Sequence, residues 1–194
     1  MKQLQLFNLD QVQGIRHPAS DTRVTPRSPA AVVFTDFDVH APVMIEAAAS
    51  AIDVEGLMKR AHVKLMLVMD QQDRFIGVIS LADLSEEHII RAVAGGTSRH
   101  EIQVQDLMQQ RGQLHALSYE EIHHATVQDV LNTLRGEHAQ HALVLDLQSQ
   151  ELRGLISASD VARKLHLPLP AGAVVEFSEV SAMLLRHSEM RSYT

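Results

Sequence analysis

The chain has 194 residues, of which 45% are apolar and 21% charged, the profile of one compact globular domain or two small ones fused. Its net charge of -7 argues against nucleic acid, which needs a concentrated basic surface. It has no cysteine, which excludes disulfides, thiolate metal sites and cysteine catalysis, and no run of about 18 apolar residues that would span a membrane.

Residues 1–10 carry no basic stretch followed by an apolar one, so no signal peptide is expected, and a cytoplasmic location fits. Residues 1–30 read as an N-terminal arm, because Pro18, Pro26 and Pro29 interrupt any long element. Short apolar runs at 31–34 and 42–45 are expected as strands. Ser50 reads as a helix N-cap, and Val54, Leu57, Met58 and Ala61 then share one helical face. The apolar runs at 65–69 and 75–79 predict two strands joined by a polar hairpin loop. A helix is expected from Leu81, with Glu86 and Glu87 in its early turns. Gly95-Gly96 ends it and marks the join.

The second half repeats the first. Residues 104–108 lead in, Thr126 is the N-cap, and Val127, Val130, Leu131 and Leu134 form the matching helical face. Strands are expected at 142–145 and 152–156 and a closing helix at 159–165, before Pro168 and Pro170. Residues 174–185 are expected to add a last helix. Gly77-Val78-Ile79-Ser80-Leu81-Ala82-Asp83 and Gly154-Leu155-Ile156-Ser157-Ala158-Ser159-Asp160 share Gly-x-Ile-Ser-x-x-Asp, 77 positions apart. Asp53 with Asp129, His62 with His138 and Asp70 with Asp146 match at an offset of 76. Each half is β-α-β-β-α. A unit of roughly 60 residues is marginal alone, so the two are expected to pack sheet to sheet about a pseudo-twofold axis.

These residues resemble a CBS domain, named for cystathionine β-synthase. The helix, Leu67-Val68-Met69-Asp70, the turn and Gly77–Leu84 resemble one copy; Ala142–Asp146 and Gly154–Val161 resemble a second. A tandem pair is called a Bateman module and would cover about 35–167. The expected division is an arm at 1–30, one motif at 31–100, a second at 101–167 and an extension at 168–194. The resemblance implies an α/β fold, a disc-shaped homodimer, and a non-enzymatic regulatory role. It further implies that an adenine compound such as AMP, ADP, ATP or S-adenosylmethionine is sensed for an unknown protein target. No cofactor is required, and neither nucleic acid nor membrane is a partner.

Ser80 and Asp83 sit three apart where a strand meets a helix, and so do Ser157 and Asp160. The hydroxyl can cap the helix, free N–H groups there can hold a phosphate, and the carboxylate can accept both hydrogen bonds of a ribose diol. Gly77 and Gly154 allow a ligand or a neighbouring backbone to approach closely. The alternative is a plain helix cap with a dipole-friendly carboxylate. The resemblance places phosphate-contacting cations at His62 and Lys64 in the first copy and at His138 and His141 in the second. A protonated His141 would make the second copy pH-sensitive near neutrality. Five histidines lie between 115 and 141, without the spacing of a metal motif. A second functional reading is a ligand-free scaffold whose clefts stay empty or are filled by the arm.

Overall fold

A computed structural model describes residues 24–169 and 174–192, with the side chains of 187–192 left aside. Most of the N-terminal arm and part of the C-terminal extension lie outside the described residues. Chain order runs β1 (Phe34–Asp36), β2 (Met44–Glu46), α1 (Ala51–Ala61), β3 (Leu65–Met69), β4 (Phe75–Ser80), α2 (Glu86–Ala94), α3 (Val104–Leu107) and β5 (Gln109–Gln110). It continues through β6 (Ala116–Ser118), α4 (Tyr119–His124), α5 (Val127–Leu134), β7 (His141–Asp146), β8 (Glu151–Ser157), α6 (Ala158–Lys164) and α7 (Phe177–Ser192).

The repeat predicted from sequence is the repeat that folds. The Ser50 hydroxyl accepts from the Asp53 N–H, and Thr126 does the same for Asp129. These caps start α1 and α5, whose apolar faces bury Val54 and Met58 in one half and Val127, Val130, Leu131 and Leu134 in the other. Each satisfies an N–H that the first helical turn leaves without an internal partner. The β3–β4 and β7–β8 hairpins carry a bulge at matched places, after Val68 and after Val144.

The two halves are joined by exchange. One sheet has the order β2-β3-β4-β5 and the other β1-β8-β7-β6. Thus β1, which precedes the first repeat, pairs with β8 of the second, and β5, which leads into the second, pairs with β4 of the first. The flanking segments follow them. The Val104 N–H donates to Ala49 O, while the Ala30 N–H donates to Ala125 O and the Val127 N–H to Ser28 O. Residues 104–108, expected as a lead-in to the second copy, therefore form a short helix within the first core. The described part of the arm lies along α4 and α5.

Both glycines shared by the two repeats serve this exchange. A Cβ at Gly77 would overlap the Gln109 carbonyl oxygen, and one at Gly154 would overlap the Thr35 carbonyl oxygen and the Phe34 ring. The close approach foreseen at these positions is made by neighbouring backbone. Two expected elements are corrected. The run at 31–34 is mostly a 3-10 turn, Ala30–Val33, which buries Ala30 and Val33, and β1 starts only at Phe34. The helix expected from Leu81 begins at Glu86, because Ser80 and Asp83 close a hydrogen-bonded turn first. The tail helix exists as α7, with Phe177 and Val180 fully buried in the second core.

Each half has its own core, and Leu67, Val78 and Leu143 form a third cluster with Leu65, Leu114, Leu152 and Leu155 between the sheets. This is the expected sheet-to-sheet packing about a pseudo-twofold axis.

Candidate functional site

Between the halves lies a cleft of about 760 Å³, within the usual size range of small-molecule sites. Its apolar walls include Leu65, Val78, Leu117 and Leu143. Ser80, Asp83 and Gln109 come to it from the first sheet. His138, Gln140 and His141 come from the segment between α5 and β7 and from the start of β7. Sequence matching groups Ser80 and Asp83 with His62 and Lys64, since all four lie in the first copy. The structure instead brings the first copy's Ser80 and Asp83 to the second copy's His138 and His141.

The Ser80 hydroxyl donates to the Asp83 carboxylate at 2.6 Å, and the Ser80 N–H donates to the same oxygen at 2.8 Å. The Asp83 N–H returns a bond to the Ser80 hydroxyl at 3.3 Å. Gln109 of β5 donates to both Asp83 oxygens, at 3.1 and 3.3 Å. A carboxylate offers about four acceptor positions, so the outer oxygen keeps capacity for a further donor. The exchange of β5 therefore helps to aim this carboxylate, and nothing in the local sequence of the repeat points to Gln109.

His141 is opposite Ser157 in the β7–β8 ladder, where the first half pairs Leu65 with Ser80. Burial, with the nearby Lys64 cation, pushes its pKa down to about 4 against the raising influence of Asp160 and Asp83. The imidazole is neutral near neutrality, which corrects the expectation of a pH response there; its titration belongs to acid conditions. His138 is at the rim, and its Nδ1 lies 3.1 Å from the carboxylate of Glu176, just before α7. Glu176 also lines the cleft, a contribution from the C-terminal extension that sequence periodicity did not reveal.

The second junction is built differently. Ser157 and Ser159 are buried, and Lys64 reaches across from the first half to donate to the Ser159 hydroxyl at 3.2 Å. Asp160 pairs with Arg163 at 2.9 Å. His62 caps the end of α1 in the left-handed conformation, φ 55°, and is exposed. Of the histidines between 115 and 141, His115, His138 and His141 line the cleft. Among the described residues no three His, Asp or Glu side chains gather as metal ligands, and no helix is long and apolar enough to cross a membrane.

The sequence model of the CBS domain matches residues 35–89. Over those residues the chain is similar to a CBS domain. The match covers the first repeat, and solved structures extend the likeness in fold to the pair. A conserved protein from Pyrococcus horikoshii shares 17% identity over 76% of this chain and 98% of its own, with a TM-score of 0.55. A CBS-domain protein from Thermoplasma acidophilum shares 16% identity over 80% and 77%, at 0.50. CBSX2, solved in complex with AMP, shares 18% over 70% and 94%, at 0.50. At these identities the likeness is one of fold. No curated protein matches the chain. The pair seen here combines two repeats, the second completed by β1 from ahead of the first and the first completed by β5 from the lead-in to the second.

Proposed function

We propose that this CBS-domain chain is a regulatory, non-enzymatic protein that binds an adenine-containing small molecule in the cleft between its halves. The observation that carries the reading is the convergence of Ser80, Asp83, His138 and His141 on one cavity with aliphatic walls. Asp83, held by Ser80 and Gln109, retains acceptor capacity for a ribose hydroxyl. Leu65, Val78, Leu117 and Leu143 offer the flat apolar surface that a purine ring needs where no Trp exists. CBSX2, alike in fold, was solved with AMP.

Ser157, Asp160, Lys64 and His62 are assigned to a second binding position related by the pseudo-twofold axis, with Lys64 as its cation. Gly77 and Gly154 serve both positions indirectly, by holding the exchanged strands. A ligand spanning the cleft touches both halves, so it favours one arrangement of the two repeats over others. Passing that preference to a protein target through a homodimer, in the cytoplasm, completes the regulatory scheme.

Thermal unfolding with AMP, ADP, ATP and S-adenosylmethionine tests the reading. A ligand at 100 times its dissociation constant adds about 2.7 kcal/mol, a rise on the order of 5–10 °C for a chain of this size. The rise should vanish in Asp83→Ala, measured as the difference between liganded and free variant. No rise with any adenine compound ends the reading.

A further inference from the structure

We propose that the cleft of Ser80 and Asp83 selects nucleosides whose tail is neutral or cationic, and that Glu176 on the C-terminal extension is the residue that sets this preference. The inference rests on the adenine reading above and narrows its ligand class.

Charge in the lining is one-sided. Asp83, Glu137 and Glu176 contribute carboxylates, while no lysine or arginine of the described residues lines the cavity. The basic side chains there are histidines: His115, His138 and His141. His141 is neutral near neutrality because burial holds its pKa at about 4. His138 already faces the Glu176 carboxylate at 3.1 Å. A phosphate monoester carries about -1.5 to -2 charge at pH 7 and would meet these three carboxylates with no lysine or arginine among the lining residues. Lys64, whose charge lowers the His141 pKa, donates to the Ser159 hydroxyl at the second junction. An uncharged ribose or a sulfonium or ammonium group meets no such repulsion.

Glu176 belongs to the extension, outside both repeats. Its place is fixed. The Phe177 N–H donates to Ala139 O, Ser178 donates to the Glu176 carboxylate, and the Phe177 ring is fully buried. The extension therefore presents a carboxylate at the cleft mouth as a built feature.

The test is calorimetric titration of the full chain with adenosine, AMP, ATP, S-adenosylmethionine and its neutral thioether analogue S-adenosylhomocysteine. Ala116→Trp, at an exposed position on the lining, blocks the cleft and identifies the binding that belongs to it. Adenosine and S-adenosylmethionine should bind at least about tenfold more tightly than AMP or ATP. Glu176→Gln should narrow that gap by about three- to tenfold, and Glu137→Gln, in an exposed segment, should narrow it less. Salt at about 1 M, where the Debye length is about 3 Å, should narrow the gap in the unchanged chain as well. Among the binding that Ala116→Trp removes, AMP or ATP tighter than adenosine overturns the inference and leaves the adenine reading standing; binding wholly retained in Ala116→Trp places the ligand outside this cleft and overturns the inference. Binding by none of the five ends the adenine reading and this inference with it.

Discussion

Gly154 lies against Thr35 so closely that any side chain on the glycine would overlap the threonine carbonyl. The contact joins β8 of the second repeat to β1 from ahead of the first, and Gly77 makes the corresponding contact with Gln109 of β5. Both obstacles are backbone atoms, which cannot rotate away. Gly154→Ala and Gly77→Ala should therefore each destabilise the chain by about 3 kcal/mol, the upper range for overpacking. Gly154→Ala should be the more severe, because the Phe34 ring is also in the way. Urea midpoints equal to the unchanged chain would show that the exchanged strands are not held by these contacts.

The repeat was legible because its elements depend on local chemistry. Ser50 with Asp53 and Thr126 with Asp129 mark helix starts, and the runs at 65–69 and 75–79 have strand length and hairpin spacing. The exchange was hidden because β1 and β5 have three and two residues, too short for any periodic signal. Their partners lie far along the chain. Sequence matching grouped the site residues by copy, whereas sheet-to-sheet packing sets β3 and β4 of one half against β7 of the other, so the cleft mixes them. Ser80 and Asp83 were legible as a junction motif. Gln109 and Glu176 were not, since a glutamine in a two-residue strand and a glutamate ahead of a tail helix have no local pattern to distinguish them.

Arg153 clamps β1 from β8. Its guanidinium donates to both Asp36 oxygens at 3.0 and 3.1 Å, reaches Asp38 at 2.6 Å and stacks 4.7 Å from the Tyr119 ring centre. The Arg153 hydrogen bond is the main reason that the Asp36 carboxyl titrates below its ordinary value. A carboxyl with a lowered folded pKa contributes stability above its unfolded pKa of about 3.9 and loses it as pH falls through the folded value. Asp36→Asn should lower the urea midpoint at pH 7, and its difference from the unchanged chain should shrink below about pH 4. A difference constant from pH 7 to pH 3 would refute the clamp.

His141 works in the opposite charge sense. Its folded pKa of about 4 lies below the ordinary value of 6.5, so the unfolded chain takes up a proton that the folded chain refuses. Above about pH 6.5 both states are neutral at this residue and it contributes no pH dependence. Between pH 6.5 and 4 the unfolded state binds more protons, so stability falls as pH falls, by roughly 3 kcal/mol in all. Leu65 occupies the matching position of the first half, which makes His141→Leu a substitution that the fold already accommodates at the equivalent site. That variant should lose most of the stability slope between pH 6.5 and 4 while folding at pH 7. An unchanged slope would place the acid sensitivity elsewhere.

The largest buried side chain anchoring the C-terminal extension is the Phe177 ring. Phe177 is fully buried in the second core with Val175 and Val180, and Ser181 donates back to the Phe177 carbonyl at 2.9 Å and to Leu131 O at 3.4 Å. Truncating a buried aromatic removes its transfer free energy and leaves a cavity, so Phe177→Ala should cost about 3–5 kcal/mol if α7 stays docked. The alternative is that α7 detaches, which would limit the cost to the anchoring energy and would also carry Glu176 away from the cleft. Amide exchange separates the two. Protection retained along α7 with a lowered global midpoint indicates a cavity in a docked helix. Protection lost from α7 alone, with β7 and β8 unaffected, indicates that the ring is the pin holding the extension over the cleft. Neither a lowered midpoint nor lost protection would mean that Phe177 contributes little to this packing, against its complete burial.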